Sequence, residues 1–216
     1  MRASMVERDT ALDLVDMLID YHLMDAYASR STSSLWDWFD SMHMENLGFT
    51  YASGATKAVF FHRDLPDWII KVVLPDEQNN DYCRREWENY LAAEQAGLSQ
   101  YFAATEYLTT VNGIAFYIQE KVFVDESVDS SIYDSASAER AARGEEIDED
   151  ALWDEVYDME ADERVELLYK NPKLTHFILS RHINDLHCGN FGMRGGEYVL
   201  IDYSGFGLQA FSRSEV

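Results

Sequence analysis

The chain has 216 residues, with 17 Lys and Arg against 40 Asp and Glu, and a formal net charge of −23. Such a surplus repels nucleic-acid phosphates and anionic membrane surfaces, and no basic patch offsets it. A hydrophobic share of 47% and an aromatic share of 13% are enough to bury a core, which excludes wholesale disorder. Cys83 and Cys188 are too few for a disulfide framework and are expected as free thiols of a cytoplasmic protein. No apolar run approaches the roughly 20 residues of a membrane span. The first residues, MRASMVERDTALDL, are too charged for a signal peptide.

In chain order, a helix is expected over 5–27, from the recurrence of Leu12, Val15, Leu18, Ile19, His22 and Leu23. A shorter helix is expected over 33–46, with Ser33 or Ser34 as cap and Leu35, Trp36, Phe39 and Met42 as its apolar side. The segments 49–62 and 67–75 are β-branched and aromatic and read as antiparallel strands, split by turn residues at Arg63–Pro66. A helix over 77–96 ends at Gly97. Strands follow at 104–111 and 114–122, and Asn112-Gly113 between them is a strong hairpin signal because both residues tolerate positive φ.

Between 125 and 163 there are 16 Asp and Glu against Arg140 and Arg143, so most of the net charge is concentrated there. This reads as a solvated acidic loop with a short helix near 149–160, anchored by Trp153, Val156, Tyr157 and Met159. A partner-binding or DNA-mimicking surface is the sharper alternative. Helix is expected again over 162–180, then a loop over 182–190, then a strand–hairpin–strand over 191–203 turning at Gly195-Gly196.

Chemistry concentrates in HINDLHCGNFGMRGGEYVLIDYSGFG, residues 182–207. Asp185 and Asn190 lie in the loop, and Asp202 follows the apolar run YVLI. A carboxylate ending a buried strand, brought beside an Asn by a hairpin, offers hard oxygen ligands to Mg²⁺, which takes few protein ligands and completes its shell with phosphate and water. Asp185 is placed to accept a proton from an attacking hydroxyl.

The pattern Asp185-Leu186-His187-x-x-Asn190, with Asp202 downstream, resembles the catalytic and metal-binding loops of the protein kinase-like superfamily. Its D-x-H-x-x-N form is similar to the aminoglycoside and choline kinase branch and to short phage-encoded protein kinases. The resemblance implies that Asp185 orients or deprotonates the acceptor, that Asn190 and Asp202 hold Mg²⁺, and that His187 braces the loop. Upstream, Gly54-Ala-Thr-Lys-Ala-Val59 resembles the second half of a glycine loop, with Val59 over the nucleotide base. Ile70-Lys71-Val72 resembles the strand-lysine motif, in which Lys71 alternates to one face with Ile69 and Val73. Its ammonium there needs an anionic partner, from phosphates and a carboxylate. Glu86, fifteen residues on, fits the lysine-pairing position better than Glu88. Tyr117–Val122 resembles the hinge, so Glu120 and Val122 are expected to contact adenine.

Taken singly, each residue has an ordinary structural explanation. Lys71 could be a snorkelling strand lysine, Glu86 part of a solvated helix face, and Asp202 a turn residue. Together the resemblance implies an α+β, bilobal, kinase-like fold: a helical extension over 1–46, an N-lobe over 47–122 with a small antiparallel sheet, and a reduced helical C-lobe over 123–216 carrying the acidic insertion. The N-terminal helices are expected to replace packing mass that longer family members have after Asp202. Only one of the usual three glycines is present, Gly205 comes late after Asp202-Tyr203-Ser204, and no Arg precedes Asp185. The implied activity is ATP- and Mg²⁺-dependent phosphoryl transfer to a protein Ser/Thr or small-molecule hydroxyl. The alternatives are a pseudokinase and an acidic protein-binding module.

Overall fold

The computed structural model describes residues 2–124, 137–138, 140–145, 148–149, 151–152, 170–183, 186 and 188–205. These form a mixed α+β structure in two compact units, Met1–Ser99 with Ala103–Lys121, and Gln100–Phe102 with Val122–Val216. Most of the predicted helix of 149–160 (all but residues 149 and 151–152) and the start of the predicted 162–180 helix lie outside the described residues, as does most of the acidic stretch.

The first unit is built on a five-stranded antiparallel sheet in the order β1-β2-β3-β5-β4. Its strands are β1 (Phe49–Ser53), β2 (Lys57–His62), β3 (Trp68–Val73), β4 (Thr105–Val111) and β5 (Ile114–Glu120). The single strand region expected over 49–62 is thus two strands joined at Gly54–Thr56. β3 is central, and Trp68 through Val72 are all buried, as a strand covered on both faces must be. Asn112 (φ 51°) and Gly113 (φ 84°) make the β4–β5 turn in the expected left-handed conformation. A register shift between Tyr107 and Thr109 bends β4.

Alternation separates the two faces of this sheet. On one face, Phe60 and Tyr51 meet the N-terminal helices α1 (Met5–Asp20), α2 (Leu23–Ala28) and α3 (Thr32–Ser41). Phe60 contacts Trp38 and Phe39, while Trp36 stacks on Tyr51 with ring centroids 4.5 Å apart. The helices therefore pack within the sheet's own unit. The opposite face carries Lys57, Val59, Ile69 and Lys71 and faces α4 (Tyr82–Ala96).

Three helix expectations need correcting. The 5–27 helix breaks at His22, whose φ is 69°. Trp38 Nε1 donates to the Tyr21 carbonyl at 2.5 Å, removing an acceptor the helix needs in order to continue. The core face of α1 is Ala11, Leu14, Val15 and Leu18, and the break lets Leu23, Ala26 and Tyr27 be buried separately by α2. The second helix begins earlier, at Thr32, with Ser31 at the N-cap position but making no side-chain capping bond, and a 3₁₀ turn at Met44–Leu47 replaces its last residues. Met42, expected on the apolar side, is exposed, and Trp38 is buried in its place. The helix expected from 77 begins at Tyr82, after a 3₁₀ turn at Pro75–Glu77. Gly97 ends it with φ 67°, as read from the sequence.

In the second unit, α5 (Pro172–Ser180) is capped by Asn171, whose side chain accepts from the N–H groups of Lys173 and Leu174. β6 (Phe191–Arg194) and β7 (Glu197–Leu200) form the expected hairpin, turning at Gly195 (φ 60°) and Gly196 (φ 90°). Phe102 packs edge-on against Phe177 and Tyr203 and bridges Leu200 in parallel, forming a local apolar core. Gly192 is required by close approach. A Cβ there would overlap Val122 Cγ2 and lie 3.1 Å from the Phe123 carbonyl oxygen, next to the paired backbones of Phe123 and Met193.

Candidate functional site

Lys71 projects from the central strand and Glu86 from the inward stripe of α4, which also carries Cys83, Asn89, Tyr90 and Ala93. The Lys71 ammonium lies 2.8 Å from Glu86 Oε2, with side-chain exposures of 5% and 0%. Two buried ions this close are held in place by the high cost of separating them in a medium of low polarity. Glu88 faces outward instead, and the Arg84 guanidinium donates to it at 2.9 Å. The structure thus pairs Lys71 with Glu86 and not Glu88, as the resemblance implied.

A second lysine joins this pair. Lys57, the first residue of β2, places its ammonium 2.7 Å from Glu86 Oε1 and is equally buried. Sequence reading missed it, because a lysine beside a glycine turn looks like an ordinary surface residue. The only available signal was its offset from Val59, which puts it on the face of Lys71. Lys71 Nζ also reaches Gln119 Oε1 at 3.3 Å, and Gln119 Nε2 donates to Thr105 Oγ1 at 3.0 Å. A polar row thus crosses the sheet from β2 to β4 beneath α4.

Val59 lies opposite Lys71 in the β2–β3 register and is half-buried, while Ile69 is buried on the same face. Gly54 is exposed at the β1–β2 turn with nothing within 4 Å of a Cβ placed on it. Its N–H donates to the Lys57 carbonyl at 3.1 Å. Glu120 is buried. Its N–H donates to the Ala104 carbonyl at 2.7 Å, and its carboxylate accepts from Ala104 N–H at 3.0 Å. Val122 is half-buried at the start of the second unit.

In the second unit, Asn190 closes a 3₁₀ turn immediately before β6 and is buried. Its carbonyl accepts from Ile201 N–H at 2.9 Å, extending the β6–β7 ladder by one step. Asn190 and Asp202 therefore sit at the same open end of one hairpin. Asp202 is half-buried and its Oδ1 accepts from the Ser204 hydroxyl at 3.2 Å. Tyr203, fully buried against Phe102, anchors the segment. Asp185 and His187 lie outside the described residues. No group of three or more His, Cys, Asp or Glu able to hold a metal occurs among the described residues. No described helix is long and apolar enough to cross a membrane.

Comparison of the chain with protein-family models, with curated proteins and with solved structures finds no match in any of the three.

Proposed function

We propose that this chain is an ATP- and Mg²⁺-dependent phosphotransferase of protein kinase-like, bilobal architecture with a reduced helical C-lobe. Its acceptor is a hydroxyl, with protein Ser/Thr as the favoured class, in a cytoplasmic setting. The observation that carries the reading is the Lys71–Glu86 ion pair, buried between the central strand and α4 at 2.8 Å. A lysine ammonium held by a helix carboxylate on a sheet face, near an open glycine turn, is a pre-positioned phosphate contact.

The donor set fits the group this reading requires. Lys71, with Glu86 as its counter-charge, would hold nucleotide phosphates. Val59 and Ile69 offer apolar surface on the same sheet face, and Glu120 with Val122, by the hinge resemblance of 117–122, would meet the base. Asn190 and Asp202, an amide and a carboxylate at one hairpin end, are hard oxygen donors of the type Mg²⁺ takes in small number. Bound MgATP supplies the transferable phosphoryl group. The chain's own part is to orient phosphates through Lys71 and to orient the acceptor hydroxyl and take its proton through Asp185. The role of Asp185 rests on the D-x-H-x-x-N resemblance.

The test is nucleotide binding followed by transfer. MgATP at millimolar concentration raises the melting temperature of the wild-type chain, since a ligand of the native state stabilises it. Lys71→Met and Asp202→Ala each remove the shift. Asp185→Asn keeps the shift and lowers transfer to lysate proteins by roughly 10²–10⁴-fold. Absence of any shift in the wild type defeats the reading. A shift with no transfer to any acceptor turns it into the pseudokinase alternative.

A further inference from the structure

The strand that carries Lys71 and the helix that carries Glu86 are joined by residues 74–81. The N-terminal helices hold both ends of that strand. At the start of β3 the Trp68 indole N–H donates to Glu7 Oε1 of α1 at 3.0 Å. At its end the Tyr27 hydroxyl of α2 donates to the Val73 carbonyl at 2.6 Å. The connection to α4 is held by the same helices. Gln78 Nε2 donates to the Tyr27 carbonyl at 2.9 Å and to the Pro75 carbonyl at 2.8 Å. The Thr32 hydroxyl of α3 donates to Asp76 Oδ1 at 2.5 Å. Tyr27 thus grips the chain on both sides of the Pro75–Glu77 turn, with its hydroxyl before the turn and its carbonyl after it.

The first turn of α4 depends on this outside support. Asp81 occupies the N-cap position and makes no side-chain capping bond. A helix end whose N–H groups lack a side-chain acceptor is weakly fixed by its own sequence. Glu86 lies little more than one turn into α4, so the placement of its carboxylate follows the placement of that turn. Tyr27 is buried, with its hydroxyl bonded as a buried tyrosine requires. Cys83, in the first turn of α4, is near enough to add to the rise that burial causes in the Tyr27 pKa.

We infer that the N-terminal helices are a clamp on the Lys71–Glu86 pair, with Tyr27 as its positioning residue. Tyr27 acts through Val73 and Gln78 rather than on the two ions themselves. Releasing α2 from the connection lets the start of α4 drift and loosens the ion pair. Control of nucleotide affinity by this route rests on the phosphotransferase reading, whereas the hold on the ion pair does not. The same helices also bind β4, through Ala3 and Arg8 on Glu106, and that contact leads to neither ion. Glu106→Ala is therefore the control for a merely structural role.

The experiment compares wild type, Tyr27→Phe, Gln78→Ala and Glu106→Ala by native-state amide hydrogen exchange and by the ¹⁵N signal of the Lys71 ammonium, assigned through Lys71→Arg. Loss of one or two hydrogen bonds is expected to speed exchange in the first turns of α4 about 3- to 10-fold in Tyr27→Phe and Gln78→Ala, and to speed it less at β5. The Lys71 signal moves in both variants and stays in place in Glu106→Ala. Equal acceleration at α4 and β5 overturns the inference, because it reports a loss of global stability alone. A Lys71 signal that is unmoved in Tyr27→Phe, or that moves as far in Glu106→Ala, overturns it as well. MgATP binding weakens about 3- to 10-fold in Tyr27→Phe, since a site that is competent for a smaller fraction of the time binds more weakly in proportion. If wild type binds no MgATP while the exchange and Lys71 results hold, the clamp stands and the phosphotransferase reading falls. If Tyr27→Phe binds MgATP as wild type does, the clamp does not serve the site and the inference falls, while the phosphotransferase reading stands. Should Tyr27→Phe not fold, Gln78→Ala, at a half-buried position, decides by the same measurements.

Discussion

Glu86 and Glu106 are both buried carboxylates of the sheet unit, but they are neutralised by different means. Glu86 receives two lysine ammonium groups, one on each oxygen. Glu106 receives the backbone N–H of Ala3 at 2.7 Å and the guanidinium of Arg8 at 2.6 Å, and Arg8 also donates to the Tyr107 carbonyl at 3.1 Å. A backbone donor and a planar fork fix a carboxylate in one arrangement, whereas ammonium groups on flexible stems are point charges that a ligand can share. Glu106 therefore acts as a clasp, docking the start of α1 against β4. Glu86 sits instead in a buried cluster of point charges, the cluster on which the phosphotransferase proposal rests.

The largest effect that can break this contrast comes from Glu86→Leu. It leaves two buried ammonium groups facing a removed carboxylate, and the expected loss is about 3–5 kcal/mol in urea unfolding. The triple variant Lys57→Met, Lys71→Met, Glu86→Leu recovers most of that stability and none of the nucleotide binding, since an apolar replacement of a whole buried cluster removes the desolvation cost along with the attraction. If the triple variant is as unstable as Glu86→Leu, the cluster is a structural clasp like Glu106.

Next in size is Glu106→Ala, which removes the acceptor for Ala3 and Arg8. It costs about 1–3 kcal/mol, measured by denaturant melts, and leaves MgATP binding unaltered. Altered nucleotide affinity in that variant would erase the distinction between the two carboxylates.

Arg8→Ala has a smaller effect. The Arg8 side chain is 35% exposed, so solvent screening limits its loss to about 0.5–1 kcal/mol. That loss shrinks further as salt is raised from about 0.05 to 0.5 M. The Glu86 cluster, with exposures of 0% and 5%, holds its contribution over the same range. Equal salt sensitivity of the two sites would contradict the burial argument.

The smallest effect concerns the cap of α1, which carries the donors to Glu106. Ser4 and Glu7 form a capping box, with Ser4 N–H donating to Glu7 Oε2 at 2.6 Å and Glu7 N–H donating to Ser4 Oγ at 3.2 Å. Hydrogen bonding from Ser4 holds the Glu7 carboxyl below its ordinary value. The Trp68 indole adds to this at 3.0 Å, and burial opposes it. A carboxyl lowered in the folded state stabilises fully above its unfolded pKa, near 4.3, and loses that contribution as pH falls through the lower folded value. Glu7→Gln should therefore lower stability at pH 7 by that contribution and flatten the acid limb below about pH 5, so that variant and wild type converge at low pH. An unchanged acid limb would show that the cap does not contribute to docking α1.

Local features were legible in the sequence because short-range sterics decide them. Asn112-Gly113, Gly195-Gly196 and Gly97 each occupy a positive-φ position where the pattern placed them. The choice of Glu86 over Glu88 came from the resemblance, and helical spacing added that residues two apart point to different sides. The break at His22 was not legible, because the 3.6-residue pattern continues across it. Its cause is Trp38, sixteen residues further on, taking the Tyr21 carbonyl. Tyr27 then donates its hydroxyl to the Val73 carbonyl at 2.6 Å, and burial, with Cys83 adding, raises its pKa well above the ordinary value, so the donor proton stays in place.

By itself the sequence determined where strand segments and the Asn112-Gly113 turn of the sheet lie, though not that 49–62 divides into two strands, and marked Lys71, Glu86, Asn190 and Asp202 as residues worth locating. Tertiary structure alone decided that Glu86 answers two lysines. Alternation assigns Lys57 to a face of β2, but not to a partner on α4. That partnership depends on strand register and on how α4 crosses the sheet, both fixed by packing between residues far apart in the chain. An ammonium near a turn is equally at ease in water, and the decision between solvent and a buried carboxylate is made when the helix closes over the sheet.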